Sequence, residues 1–346
     1  MGTGQRPPNS HTVGEQRPPA LAWTSWHHQL HNRLRQKPQL LPAGARLLLA
    51  ISGGQDSMAL LGLLLELQHQ HRWTLQLWHG DHGWHANSTT VAAELQEWCN
   101  RQDLKLELQR APGELARTEA AARRWRYDTL EGLARGSGAD VVTGHTASDR
   151  AETMLLQVAR GSDLAGLTTL RPVRPLSADG PQLRRPLLGF NRTDTAAICR
   201  DLALPVWEDP SNQSASFARN RIRHEVLPVL EALHPGCSRR MAEQAERLSQ
   251  LQDTQSELSA LVLEQLQNGD GLNRRQIGTL SSATRRQLLA QWLQIQGVPA
   301  IDAAQLDQLS TKLATGAPGG SSHLPGGWQL HWRGDALKLT PPAAAH

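Results

Sequence analysis

The chain has 346 residues, more than one hydrophobic core usually organises, so two domains are expected. With 39% hydrophobic and 20% charged residues it suits a globular protein, and no apolar run approaches the roughly 18–20 residues of a membrane span. Net charge is +4, almost entirely from arginine: Lys37, Lys105, Lys312 and Lys338 are the only lysines, a bias compatible with phosphate and RNA binding.

Three separated cysteines (Cys99, Cys199, Cys237) without a C-x-x-C argue against a disulfide framework or a zinc knuckle. The N-terminus lacks the basic-then-apolar pattern of a secretory signal, so a cytoplasmic protein without membrane attachment is expected. Nothing in the sequence points to an obligate protein partner.

In chain order, residues 1–22 are rich in Pro, Gly and polar groups and read as a disordered tail. Residues 23–36 read as a helix, with Trp23, Trp26, Leu30 and Leu34 at helical spacing. Short apolar runs then alternate with amphipathic ones. Strands are expected at 46–51, 73–78, 104–108 and 139–143, and helices at 57–69, 89–101, 114–134 and 147–158. That alternation predicts an α/β fold, a Rossmann-like parallel sheet with helices on both faces and ligands beyond the carboxyl ends of its strands. After about Pro235 the pattern changes to long helices at 238–267 and 273–296, ending in a hairpin at 328–332 and 336–339. The expected organisation is a catalytic domain over 23–235, a smaller mainly helical domain over 236–340, and a loose tail at 341–346.

The chemistry-bearing segments follow the strand ends. Ser52-Gly53-Gly54-Gln55-Asp56-Ser57 lies between the first strand and its helix. Two glycines let backbone N–H groups approach an anion, the helix N-terminus favours negative charge, and two serines add donors. Asp56 would repel phosphate unless Mg2+ stood between them, an arrangement magnesium prefers. The lysine of a Walker loop is missing.

The second strand runs into His79-Gly80-Asp81-His82-Gly83-Trp84-His85, which reads as a nucleotide-facing loop or surface histidines better than as a metal site. Glu119 and Arg123 stand at i,i+4, as an ion pair or with Arg123 set beside phosphate charge. In Thr143-Gly144-His145-Thr146-Ala147-Ser148-Asp149-Arg150-Ala151-Glu152, Asp149 and Glu152 share one side of a helix start. They could complete a magnesium site, bind an ammonium group, or simply cap the helix. Arg160-Gly161-Ser162, Arg185-Pro186-Leu187-Leu188 and Glu208-Asp209-Pro210-Ser211-Asn212 follow. Then Arg219-Asn220-Arg221-Ile222-Arg223 puts Arg219 and Arg223 on one helix face, as a phosphate-sized cation pair or a solvated basic face.

The S-G-G-x-D-S loop matches that of the ATP pyrophosphatases, or PP-loop superfamily. Taken in order, the segments from about Arg46 to Pro228 resemble the bacterial tRNA(Ile)-lysidine synthetase family, and Leu324-Pro325-Gly326-Gly327 before a hairpin resembles that family's end. One departure is HGDHGWH where the family has H-V-D-H-G-L-R, so no role is carried onto His85. The resemblance implies ATP-dependent attachment of free L-lysine to C2 of the wobble cytidine of the isoleucine tRNA with a CAU anticodon, through an adenylated base, with release of AMP and pyrophosphate. It implies that Ser52, Gly53, Gly54, Gln55, Asp56 and Ser57 bind ATP, with Mg2+ on Asp56 and Asp149. Arg123 and Arg219 would stabilise phosphate charge, Asp149 and Glu152 would hold magnesium or the incoming ammonium, and Arg221 and Arg223 would contact tRNA. The rivals are a tRNA thiolase of the same superfamily, which needs catalytic cysteines, an ammonia-using synthetase, which brings a glutaminase domain, and a non-catalytic nucleotide-binding module.

Overall fold

A computed structural model of the chain describes residues 23–83, 88–113, 118–168, 170–207 and 218–342. Trp84, His85 and the segment 208–212 therefore lie outside the described residues, as do the tail at 1–22 and the end of the tail at 341–346. The chain forms two compact units, one through Arg247 and one from Leu248. The division falls within a long helix, later than the proline and glycine turn at Pro235–Gly236 where composition alone placed it.

The first unit opens with helix α1 (Ser25–Gln36), followed by β1 (Arg46–Ala50), α2 (Gln55–His71), β2 (Thr74–Asp81), α3 (Ser88–Arg101) and β3 (Leu106–Arg110). Then come α4 (Glu119–Ser137), β4 (Asp140–Thr143), α5 (Ala147–Ala159), the short α6 (Leu164–Leu167), β5 (Val173–Pro175) and β6 (Gln182–Arg184). Helix α7 (Arg192–Asp201), α8 (Ala218–Arg221) and α9 (Leu227–Leu233) complete it, with a π-turn at Ile222–Val226 joining the last two. The strand order is β3-β2-β1-β4-β6-β5, parallel except for the β5–β6 pair.

Both faces of this sheet are covered, which explains why β1 reads as an unbroken apolar run. Leu47 and Leu49 enter one core with Met58, Leu61, Leu64 and Phe190, while Leu48 faces the other with Trp78, Leu130, Val141 and Leu183. Helix α2 is apolar nearly all round because α1 and α7 also cover it. The chain builds β1, β2 and β3 outward on one side, then places β4 on the other. The carboxyl ends of β1 and β4 thus flank the reversal point where such sheets bind ligands.

The edge pair β5–β6 is absent from the sequence reading, since each strand has only three residues. Strand β2 runs past Trp78 to Asp81, so His79 and Asp81 belong to the sheet and are buried.

Helix α10 (Cys237–Gln265) leads into the second unit, where β7 (Gln267–Asn268) and β8 (Gly271–Asn273) precede α11 (Arg274–Thr279), α12 (Ser282–Ile295) and α13 (Ala303–Lys312). Strands β9 (Gly320–His323), β10 (Gln329–Arg333) and β11 (Ala336–Thr340) complete a five-stranded sheet ordered β7-β8-β11-β10-β9. The expected hairpin is β10–β11. The single helix expected over 273–296 is instead two. Leu280 is extended, and the Ser281 hydroxyl accepts from the Thr284 N–H at 3.2 Å, restarting the helix. Leu272, Ile277, Leu289, Leu309, Leu330 and Leu337 form this unit's own core.

Within the first unit, Glu246 accepts from Arg150 at 2.9 Å and from Lys37 at 3.1 Å, joining α5 and α1 to the start of α10. Burial works to raise the Glu246 pKa, but Arg150 and Lys37 outweigh it and hold the carboxyl below its ordinary 4.5. A depressed pKa means that the stabilisation is complete above 4.5 and is lost as pH falls through the lower folded value. Glu246→Gln strands the guanidinium of Arg150, which is only 2% exposed, and is expected to cost about 3 kcal/mol at neutral pH. Chemical denaturation at several pH values should show that deficit shrinking below 4.5.

Candidate active site

The Ser52–Ser57 loop leaves the end of β1 and enters α2 through Gly54, its extended N-cap. Gly53 has φ +81, and a Cβ there would lie 3.3 Å from the Trp207 ring, so both conformation and space require glycine. The loop is braced from within: the Ser57 hydroxyl donates to the Gly54 carbonyl at 2.8 Å and accepts from the Ser52 N–H at 3.1 Å. The Gln55 and Asp56 N–H groups precede the helix's first backbone bonds, which run from Ser57 and Met58 to the Gly54 carbonyl at 3.0 Å, so the loop and helix start form a cradle of donors suited to an anion. Gln55 contributes to that cradle only through its backbone, because its amide nitrogen donates to the Arg192 carbonyl at 2.6 Å and to Thr195 at 2.8 Å.

The end of β4 meets this cradle directly. A Cβ on Gly144 would stand 2.7 Å from the Asp56 carbonyl oxygen and 3.1 Å from the Ser57 nitrogen. Only glycine permits that approach, which brings the start of α5 beside the start of α2. In α5, Asp149 caps its own helix through one oxygen, which accepts from the Thr146 N–H at 2.7 Å and the Thr146 hydroxyl at 3.0 Å. Its other oxygen accepts from Arg219 at 2.7 Å. One carboxylate thus both caps its own helix and pairs with Arg219.

Glu152 is fully buried and takes guanidinium donors on both oxygens, from Arg219 Nε at 2.7 Å and Arg223 Nε at 2.6 Å. Arg219 and Arg223 thus form neither a free cation pair nor a solvated face. The carboxylates outweigh the effect of burial and hold both guanidinium pKa values above normal. Burial would raise the Asp149 pKa, but Arg219 and its neighbours more than offset this and lower it.

Asp56 behaves differently. Burial first, and the nearby Asp149 charge second, push it up to about 6 against the pull of Arg192 and Thr195. Arg192 lies 3.2 Å from one oxygen and the Thr195 hydroxyl donates to the other at 2.5 Å. Asp56 and Asp149 are therefore near enough to repel. A pair of carboxylates beside a phosphate cradle fits the donor set of a magnesium ion, which uses one or two carboxylates together with phosphate oxygens.

Around this centre, His145 accepts from or donates to Thr143 at 2.8 Å, and burial pushes it down to about 3, leaving a neutral imidazole. His79 likewise stays neutral on burial, its Nδ1 donating to the Ile51 carbonyl at 2.8 Å and tying β2 to the loop. Exposed Arg123 reaches the Tyr127 hydroxyl at 3.3 Å. The Glu119 side chain is outside the described residues. Arg221 is exposed and paired with Glu225 at 2.8 Å, whereas Arg223 turns inward. Arg192 and Thr195 escaped the sequence reading. Their helix carries a capping pattern at Asn191–Asp194 but no spacing that points to Asp56.

All three cysteines are buried. Burial pushes the Cys99 thiol up to about 11 and, with the Asp56 charge, Cys199 up to about 12, and it also raises Cys237. A thiol held protonated is a poor nucleophile.

Residues 26–230 match the PP-loop domain family, and residues 272–337 match the TilS substrate binding domain. The chain is 64% identical to the tRNA(Ile)-lysidine synthase of Parasynechococcus marenigrum (strain WH8102), covering 96% of this chain and 100% of that protein. It belongs to the tRNA(Ile)-lysidine synthase family. It is also 44% identical to the tRNA(Ile)-lysidine synthase of Synechococcus sp. (strain ATCC 27144 / PCC 6301 / SAUG 1402/1), covering 92% of this chain and 97% of that one. Among solved structures, the U34-tRNA thiolase NcsA of Methanococcus maripaludis, 18% identical, shares the fold at a TM-score of 0.54 over 64% of this chain and 78% of its own.

The close approach at Gly144 gives a direct test. Gly144→Ala is expected to lower stability by about 1–3 kcal/mol through overpacking and to weaken ATP binding by displacing the loop. Gly132→Ala, on α4 with open space around it, should be neutral or stabilising by up to about 1 kcal/mol. Thermal unfolding and calorimetric ATP titration of both variants check this.

Proposed function

We propose that the protein joins L-lysine to C2 of the wobble cytidine of the isoleucine tRNA with a CAU anticodon, in the cytoplasm, consuming ATP and releasing AMP and pyrophosphate. The observation that carries this reading is the abutment of the phosphate cradle at Asp56 with the Asp149–Glu152–Arg219 group at Gly144. It sets a triphosphate site beside buried acids that can receive a cation, in a member of this synthase family.

The cradle and the serine hydroxyls hold the triphosphate, and the cytidine O2 attacks the α-phosphorus, releasing pyrophosphate. The lysine ε-amine, deprotonated, then adds to C2, and AMP departs with the former O2 oxygen. An oxygen bound to C2 leaves poorly by itself and well as AMP, so no protein nucleophile is required. Magnesium held by Asp56 and Asp149 would neutralise phosphate charge. The protein's work is positioning and charge compensation, with Arg123 and Arg219 assigned to the phosphates. The target base must leave its stack, which an anticodon loop permits at low cost. Arg221 is set outward for RNA, while Arg223, the other arginine assigned to RNA, also braces Glu152. The raised cysteine thiols speak against thiolase chemistry.

The acids that would take the lysine ammonium are already bridged by Arg219 and Arg223. Nucleotide phosphates compete for those guanidiniums, so ATP should free the acids and the two substrates should bind cooperatively. Calorimetry is expected to show lysine binding at least fivefold tighter with a non-hydrolysable ATP analogue than without it; equal affinity would refute the linkage. Asp56→Ala should reduce both pyrophosphate release and incorporation of radiolabelled lysine into bulk tRNA by a hundredfold or more, on the order of losing one transition-state charge partner. Wild-type protein that binds ATP yet yields no pyrophosphate with tRNA and lysine would instead support a nucleotide-binding module.

A further inference from the structure

Two arginines that the reaction above does not use, Arg174 and Arg185, lie beside it. Arg185, next after β6, is 2% exposed, donates one Nη to the Arg171 carbonyl at 2.7 Å, and leaves its buried Nε without a hydrogen-bond partner. Arg174, on β5, lies over the Tyr127 ring with its guanidinium carbon 5.7 Å from the centroid, and Arg123 lies over the same ring at 5.0 Å. Among the described residues no carboxylate forms an ion pair with Arg174 or Arg185. Glu131, on the same helix as Tyr127, is engaged with Arg135 and Ser177, and Asp140 with Arg184. Burial, with Arg174 and Arg123 close by and Tyr127 only partly compensating, depresses the Arg185 pKa to about 10.

A buried guanidinium with surplus neighbouring charge and an unmet donor calls for an anion. We propose that Arg174 and Arg185 hold a phosphodiester of the RNA substrate next to the reacting cytidine, at a site separate from that for the ATP phosphates. This rests on the RNA-modifying reading above.

Placement favours RNA over nucleotide. The Ser52–Ser57 loop rises from β1, whereas Arg185 follows β6, two strands away, and Arg174 sits on the edge strand β5. At strand spacing that separation is roughly 10 Å or more. His145 and the Asp149–Glu152 acids follow β4, between the two. A base inserted at those acids would carry its flanking phosphate toward β6 and β5, at the open edge of the sheet where a large ligand can approach. Stacking of Arg174 on Tyr127 pre-orients its donor fork for phosphate oxygens.

The test uses the full-length protein with Arg174→Gln, Arg174→Lys and Arg185→Lys, each checked for its unfolding midpoint. Binding of transcribed isoleucine tRNA is measured across a salt series, and ATP binding is measured on the same preparations. Arg174→Gln is expected to weaken RNA binding about tenfold at low salt and to reduce the slope of log affinity against log salt by about 0.7–1, one phosphate contact. Arg174→Lys should fall between this and wild type, and ATP affinity should be unchanged. Wild-type RNA affinity and slope in both Arg174→Gln and Arg185→Lys would overturn the proposal. An equal loss of ATP affinity would also overturn it, by assigning the anion to the nucleotide. Wild-type protein that binds no tRNA would remove the RNA-modifying reading along with this one, whereas normal wild-type binding with unaffected variants removes this one alone.

Discussion

Two acidic side chains from different strand ends, half-buried Asp56 after β1 and buried Asp149 after β4, lie near enough that the charge on Asp149 raises the cost of ionising Asp56, and the local architecture is organised around that repulsion. Burial and the Asp149 charge lift Asp56 to about 6. Arg192 and Thr195 from α7 restrain Asp56, while Arg219 and Arg223 neutralise Asp149 and Glu152. Breaking any of these pairs without a substitute strands a buried charge. The charges of these side chains thus compensate one another within the protein.

The backbone makes that proximity possible. The strand order reverses between β1 and β4, which opens a crevice at their carboxyl ends, and Gly144 lets the second strand end touch the first loop. On the proposed reading, the same crevice would serve both adenylation and amine addition. Chemistry of this kind asks for charge placed in advance rather than a protein nucleophile, which agrees with three cysteines buried as protonated thiols.

The glycine turn at residues 52–57 was legible in the sequence because its signal is local: an apolar strand, two glycines, then a helix start. The alternating elements of the first unit were legible for the same reason, since hydrophobic periodicity reports on burial within a window. Arg192 and Thr195 were not, because they lie 136 and 139 positions from Asp56 and only folding brings them there. The double role of Asp149 was hidden because capping and site-facing acids carry the same sequence signature. Arg223 read as half of a phosphate-sized cation pair or as part of a solvated face, since nothing local reveals that its partner Glu152 is buried. Three-residue strands such as β5 and β6 are too short for a period to register, and the Ser281 cap that divides α11 from α12 was masked by a continuous helical pattern.

On the proposed reading, the cradle receives a triphosphate and the arginines then leave the acids. A crystal structure with a non-hydrolysable ATP analogue and Mg2+ measures both at once. It should show the phosphates on the first N–H groups of α2, with Arg219 drawn from Glu152 onto phosphate oxygens. Phosphates bound away from the Ser52–Ser57 loop, or seated there with Arg219 and Arg223 still closed on Asp149 and Glu152, would contradict it.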